Sequence, residues 1–111
     1  MTALTTIRRF DVYWVDLDPT KGSEIQKTRP CVIVSPDEMN EVLRTIMVVP
    51  LTSTVIDWPF RTVITSGIKE SSAACDQLRT ISKERLRSKI GSLTPDEQNI
   101  VLEILRDIFS E

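Results

Sequence analysis

The longest apolar stretch of the chain, Thr45 to Leu51, is about a third of the ~20 residues a bilayer-spanning helix needs. Such runs are strand-sized, and the chain holds several. Phe10 to Leu17 is rich in aromatic and β-branched residues and ends at Asp18-Pro19, so it predicts a strand leading into a turn. Cys31 to Ser35 is a short continuous apolar run of the kind a fully buried strand carries. Phe60 to Thr65, Ala73 to Ile81 and Leu86 to Ile90 are also β-prone, which brings the expected strands to five or six.

Two helices punctuate these strands. Ser35-Pro-Asp-Glu38 has the form of an N-cap, a proline at the first helical position and a capping-box glutamate, predicting a short helix near 36–44. Thr94-Pro-Asp-Glu97 repeats the pattern before Ile100, Val101, Ile104, Leu105 and Ile108, one apolar stripe of an amphipathic helix near 95–109. With 111 residues and 41% hydrophobic content, residues 1–111 form a single domain around one modest core. The expected fold is mainly β with helices (α+β), a small antiparallel barrel or strongly curved sheet with helices on its outside or ends. The amino terminus lacks a basic-then-apolar secretory pattern, so a cytoplasmic protein with no membrane partner is expected.

The chain contains no histidine. Acid–base chemistry near neutral pH must therefore fall to carboxylates, Arg, Lys, Tyr or hydroxyls. Cys31 and Cys75, far apart and without histidine, make no zinc knuckle or CxxC pair and read as buried small apolar residues. No metal or other cofactor is expected. The net charge of −2 argues against a nonspecific nucleic-acid coat, but charge is unevenly spread. Arg79, Lys83, Arg85, Arg87 and Lys89 face one acid, Glu84, while Pro95 to Glu111 holds five acids against Arg106. The basic stretch is either a solvated face or a surface that attracts phosphates.

Three polar clusters are candidate sites. Lys21-Gly-Ser-Glu-Ile-Gln-Lys-Thr-Arg-Pro30 places Glu24 and Arg29 on a connection expected to be a long flexible loop. Pro50-Leu-Thr-Ser-Thr54 puts hydroxyls at a strand end, where they bind a phosphate or form a simple turn. Cys75-Asp-Gln77 sets a carboxylate inside a strand-like segment, which calls for a bulge or a functional position.

In this order, Asp18-Pro-Thr-Lys-Gly-Ser-Glu24, Arg29-Pro30, Val32-Ile-Val-Ser-Pro36, Val49-Pro-Leu-Thr-Ser53 and Cys75-Asp-Gln-Leu-Arg-Thr-Ile81 resemble the MazF/PemK family of toxin endoribonucleases, from about Arg9 to Phe109. The resemblance implies an SH3-like or CcdB-like barrel with a C-terminal helix, a homodimer, and metal-independent cleavage of single-stranded RNA such as mRNA at a short preferred sequence. It also implies neutralisation by a cognate, MazE-like antitoxin whose acidic tail lies over the RNA groove.

Metal-free cleavage proceeds by in-line attack of the adjacent 2′-hydroxyl and yields a 2′,3′-cyclic phosphate and a 5′-hydroxyl. Glu24 matches the family's glutamate and is the expected general base, with Asp76 the competitor; Arg29 matches the family's arginine and is expected to stabilise the phosphorane. Thr52 and Ser53 would orient the phosphate. Lys21, Ser23, Gln26, Lys27 and Thr28 on the loop, with Asp76, Gln77 and Arg79, are the expected RNA contacts. Trp58 and Phe60 either stack a base or belong to the core or interface, and Trp14 reads as core or interface. Some family members carry histidine where Ser23 stands and arginine where Ala74 stands, so schemes built on those side chains cannot run here. The competing readings are a CcdB-like barrel that binds and poisons DNA gyrase, and an inactive RNA-binding module.

Overall fold

The computed structural model describes residues 6–17, 22–24, 27–66 and 69–111. Seven strands form one antiparallel sheet: β1 (Asp11–Asp16), β2 (Thr28–Ile33), β3 (Thr45–Thr52), β4 (Arg61–Ile64), β5 (Ser71–Ala74), β6 (Arg79–Ser82) and β7 (Leu86–Ser92). The order is β4-β5-β3-β2-β1-β7, with β6 also paired to β3. The sheet does not close, so it answers to the curved-sheet form of the sequence reading, and the barrel description is loose. Helix α1 (Asp37–Val42) lies between β2 and β3, and α2 (Pro95–Phe109) ends the chain.

Strand β3 organises the sheet. One of its edges pairs with β2 through Ile33↔Val48, Val32↔Val49 and Cys31↔Pro50. The other pairs first with β6, over Thr45 to Val48, and then with β5, over Leu51 and Thr52. Pro50 falls where β6 has ended and β5 has not begun. A proline donates no ladder hydrogen bond, and here it sits in the gap between two successive partners. The same gap is spanned by a single 3₁₀ turn, Cys75–Gln77, between β5 and β6. Asp76 therefore lies outside the strands: the β-prone run Ala73 to Ile81 is two strands and a turn, which removes the conflict of a carboxylate within a ladder.

Both faces of the central strands are buried. Val12, Val32, Val49, Leu51 and Ile64 join Val101 and Ile104 of α2 in one apolar cluster, while their neighbours Tyr13, Cys31, Ile33 and Val48 join Val15, Leu17, Ile46 and Ile81 in another. Side chains alternate faces along a strand, so continuous apolar runs are what a sheet covered on both sides requires.

Helix α1 is shorter than the sequence pattern predicts and is capped differently. Its N-cap is Pro36, with no side-chain cap. Ser35, only 1% exposed, instead donates to Asn40 Oδ1 at 2.5 Å and accepts from the Met47 amide at 3.1 Å, while Asn40 Nδ2 donates to the Ser35 carbonyl at 3.0 Å. Burial decides this: two enclosed polar groups satisfy each other before a terminus that water can reach.

Helix α2 has the capping box as expected, with the Glu97 amide donating to Thr94 Oγ1 and the Thr94 amide to Glu97 Oε1. Glu97 also accepts from the Thr65 amide at 2.8 Å and from the Ser66 hydroxyl, pinning the segment after β4 to the helix start. Burial by itself would raise this carboxyl. The hydrogen bonds from Ser66, Thr65 and Thr94 outweigh it and hold the pKa at about 2 against an ordinary 4.5. A depressed carboxylate stabilises the fold above its unfolded pKa, and the gain is lost as pH falls through the folded value. Urea unfolding should therefore show stability declining between about pH 4.5 and 2, with a flatter profile for Glu97→Gln. Thr94→Ala should cost about 1 kcal/mol at neutral pH.

Candidate functional site

The connection after β1 returns sooner than a long loop would. Strand β2 starts at Thr28, with Asp16↔Thr28 and Val15↔Arg29 in register. Arg29 is therefore held on a strand and half-buried, whereas the sequence reading put it on the loop. The Leu17 amide donates to the Lys27 carbonyl at 3.0 Å and closes the neck of the connection. Lys27 at φ +72° and Gly22 at φ +61° take the left-handed conformation, which costs a side-chain-bearing residue such as Lys27 more than it costs glycine.

Above this neck is an open hollow of about 530 Å³. Gly22, Ser23 and Glu24 come to it from the connection, Arg29 from β2, Thr52 to Thr54 from the end of β3, Arg61 from β4 and Gln77 from the 3₁₀ turn. Five parts of the chain meet there, and Glu24, Arg29, Thr52, Ser53, Ser23 and Gln77 all line it. A second hollow of about 410 Å³ adjoins it, sharing Arg29 and Ser53 and adding Trp14, Thr28 and Lys69.

The hydroxyls are not equivalent. Thr52 Oγ1 donates to the Thr54 carbonyl at 3.0 Å, which commits its only proton to a local turn. Both sequence readings of this segment thus hold in part: it forms a turn, and it lines the hollow.

Over residues 8–109 the chain matches the family described as PemK-like, MazF-like toxin of type II toxin-antitoxin systems. The chain belongs to that family. It is 35% identical over 92 residues to the endoribonuclease toxin MazF of Escherichia coli K12, covering 82% of this chain and 83% of that protein. It is 37% identical over 101 residues to endoribonuclease MazF9 of Mycobacterium tuberculosis, covering 82% and 86%. In fold it resembles the crystal structure of MazF from Deinococcus radiodurans, with a TM-score of 0.83 at 20% identity over 94% of this chain and 96% of that one. It also resembles a mycobacterial endoribonuclease solved in complex with its cognate antitoxin, with a TM-score of 0.79 at 24% identity over 91% and 92%.

Several expected residues of this MazF-like site lie elsewhere. Asp76 lines neither hollow; both its oxygens accept from Arg61, Nε to Oδ1 at 2.9 Å and Nη2 to Oδ2 at 3.0 Å. Phe60 packs on the core, and Trp58, 43% exposed, sits 5.3 Å from it in a tilted pair. Lys27 and Arg79 line neither hollow. Lys21 and Gln26 lie outside the described residues. The rest of the basic stretch bonds to acids and carbonyls of the same chain: Lys83 Nζ donates to the Asn40 carbonyl, Arg85 to the Asp16 carbonyl, and Arg87 and Lys89 pair with Asp16 and Asp11. Sequence reasoning missed Arg61, which the register of β4 against β5 brings to the first hollow, and Lys69, which lies in the bend before β5 and lines the second.

Thiol chemistry is shut off. Both cysteines are free and buried, and burial pushes Cys31 to about 12 and Cys75 to about 11; Asp76 adds to the shift of Cys75, while Arg79 and Arg29 only partly offset that of Cys31. At pH 8 a thiol reagent should leave both unlabelled in the native protein and label both in denaturant, as mass spectrometry would show.

Proposed function

We propose that this chain is a toxin endoribonuclease that cuts single-stranded RNA through its own 2′-hydroxyl. The observation that carries the reading is the meeting of Glu24, Arg29 and Ser53 around one open hollow in a protein without histidine. Glu24, exposed on the hollow's rim, takes the 2′-hydroxyl proton as the oxygen attacks phosphorus in line. Arg29 offers its planar, permanently charged fork to the non-bridging oxygens as negative charge builds on the phosphorane. Held on a strand, it needs little reorganisation during reaction. Ser53 donates to the phosphate, and Thr52, whose proton is spent on Thr54, shapes the turn that presents Ser53. Gln77 lines the hollow with an amide suited to a base edge, and Ser23 lines it with a hydroxyl. The bond from phosphorus to the 5′-oxygen breaks and that oxygen takes a proton from solvent water, leaving a 2′,3′-cyclic phosphate and a 5′-hydroxyl.

Asp76 is the weaker base in this scheme because both its oxygens are engaged by Arg61. A gyrase-binding reading gives Glu24, Arg29 and Ser53 no role. The solved antitoxin complex of a similar fold supports a cognate protein partner for this chain as well, and the resemblance extends the proposal to a homodimer acting on mRNA in the cytoplasm. Among the described residues, no helix is long and apolar enough to cross a membrane.

Purified protein should cut single-stranded RNA in EDTA, spare DNA, and leave cyclic-phosphate ends identified by end sequencing. Arg29→Ala should lose about 10²–10³ in rate and Glu24→Ala at least about 10². A substrate with hydrogen in place of the 2′-hydroxyl at the cut must stay intact; its cleavage would exclude internal attack.

A further inference from the structure

Arg61 is the one cation on the first hollow that the scheme above leaves without a task. Its side chain is 11% exposed, unusually enclosed for a guanidinium, yet it lies on the wall with Ser53, Thr54 and Gln77. Three contacts hold it. Asp76 takes Nε and Nη2 in a two-point fork at 2.9 and 3.0 Å. The face of Trp58 covers Cζ at 4.9 Å from the ring centroid. The Arg61 backbone is locked by the register Arg61↔Ala74 and by its amide, which donates to the Trp58 carbonyl at 3.1 Å.

This arrangement uses only part of the group. A guanidinium has five N–H donors in a fixed fork, and the pair with Asp76 spends two. Nη1 has no hydrogen-bond partner among the described residues. Both Asp76 oxygens are occupied by Arg61, which blunts the negative charge that would otherwise oppose an anion nearby. The hollow, at about 530 Å³, lies in the range of about 300–1,000 Å³ that holds a whole small ligand and is far larger than one phosphate. With Arg29 assigned to the reacting phosphate, the remaining wall has room for the next linkage of the strand.

Resting on the endoribonuclease reading, we propose that Arg61, oriented by Asp76 and Trp58, binds an RNA backbone phosphate next to the one that is cut. Arg61 is then a substrate-positioning residue, and Asp76 acts only through it. The contact sets how the strand lies across Glu24 and Arg29, so its loss affects binding and alignment rather than the proton transfer itself.

The test uses a single-stranded RNA oligonucleotide made uncleavable by one 2′-deoxy substitution, and measures binding as salt is raised. Each neutralised phosphate of a single strand contributes about 0.7 to the slope of log affinity against log salt. Arg61→Gln, in a sample shown to be folded, should flatten the slope by about that amount and weaken binding. A methylphosphonate that neutralises one linkage beside the cut should weaken binding by the wild-type protein and have little further effect on Arg61→Gln. Arg61→Lys keeps the charge without the fork, so its salt slope and its penalty for that methylphosphonate should both persist, with overall binding weaker than wild type.

A folded Arg61→Gln with wild-type slope and affinity overturns the proposal. So does a wild-type protein that binds strands neutralised by methylphosphonate beside the cut as tightly as the unmodified strand, a measurement that stands even where the glutamine variant does not fold. These failures differ from failure of the underlying reading: a wild-type protein that neither binds nor cuts RNA removes the endoribonuclease reading, whereas active wild type with indifferent Arg61 variants removes only this inference.

Discussion

Strand β3 must serve three partners with two edges, and most of what is distinctive in the molecule follows from how it does so. One edge belongs to β2. The other passes from β6 to β5 partway along, leaving a gap that Pro50 occupies without forfeiting a ladder bond. The chain crosses that gap by the Cys75–Gln77 turn, which lifts Asp76 and Gln77 out of the sheet. Where β3 ends, Thr52 to Thr54 run on into the wall of the hollow. The change of partner thus ends the regular ladder beside the site and frees polar side chains from the demands of strand pairing.

Electrostatics follow the same division. Elsewhere in the sheet, cations are consumed by local acids: Arg87 by Asp16 and Lys89 by Asp11. The exposed Arg87–Asp16 pair adds little stability, while Lys89 reaches the buried Asp11, and both keep the basic stretch from presenting a bare cationic surface. At the first hollow, Arg29 and Arg61 line the same space as Glu24, and Asp76 holds Arg61, so the charge there is set by local pairing rather than by the net charge of −2. Burial completes the selection by silencing both thiols, so carboxylate, guanidinium and hydroxyl are the groups left to act.

Much of this was legible in the residues. The Thr94–Glu97 box and the stripe that follows it depend on spacing within one helix, and α2 forms as the pattern predicts. The apolar runs mark buried strands because their own side chains must alternate between two covered faces. Glu24, Arg29 and Ser53 were legible as a set through their order along the chain. Ser35 was misread because its cap pattern is local whereas its burial is not: enclosed beside Asn40, it bonds inward. Arg61 was invisible for a related reason, since nothing near it in sequence announces Asp76, fifteen positions on.

By itself, then, the sequence determined the kinds of elements, the absence of imidazole chemistry and which polar residue types are available, because each is a property of short segments or of composition. Only the tertiary structure decided that Arg29 stands on a strand, that Asp76 leaves the ladder to hold Arg61, and that five parts of the chain share one hollow. Those outcomes depend on strand register and on which polar groups end up enclosed, and both arise only when distant parts of the chain compete for the same partners.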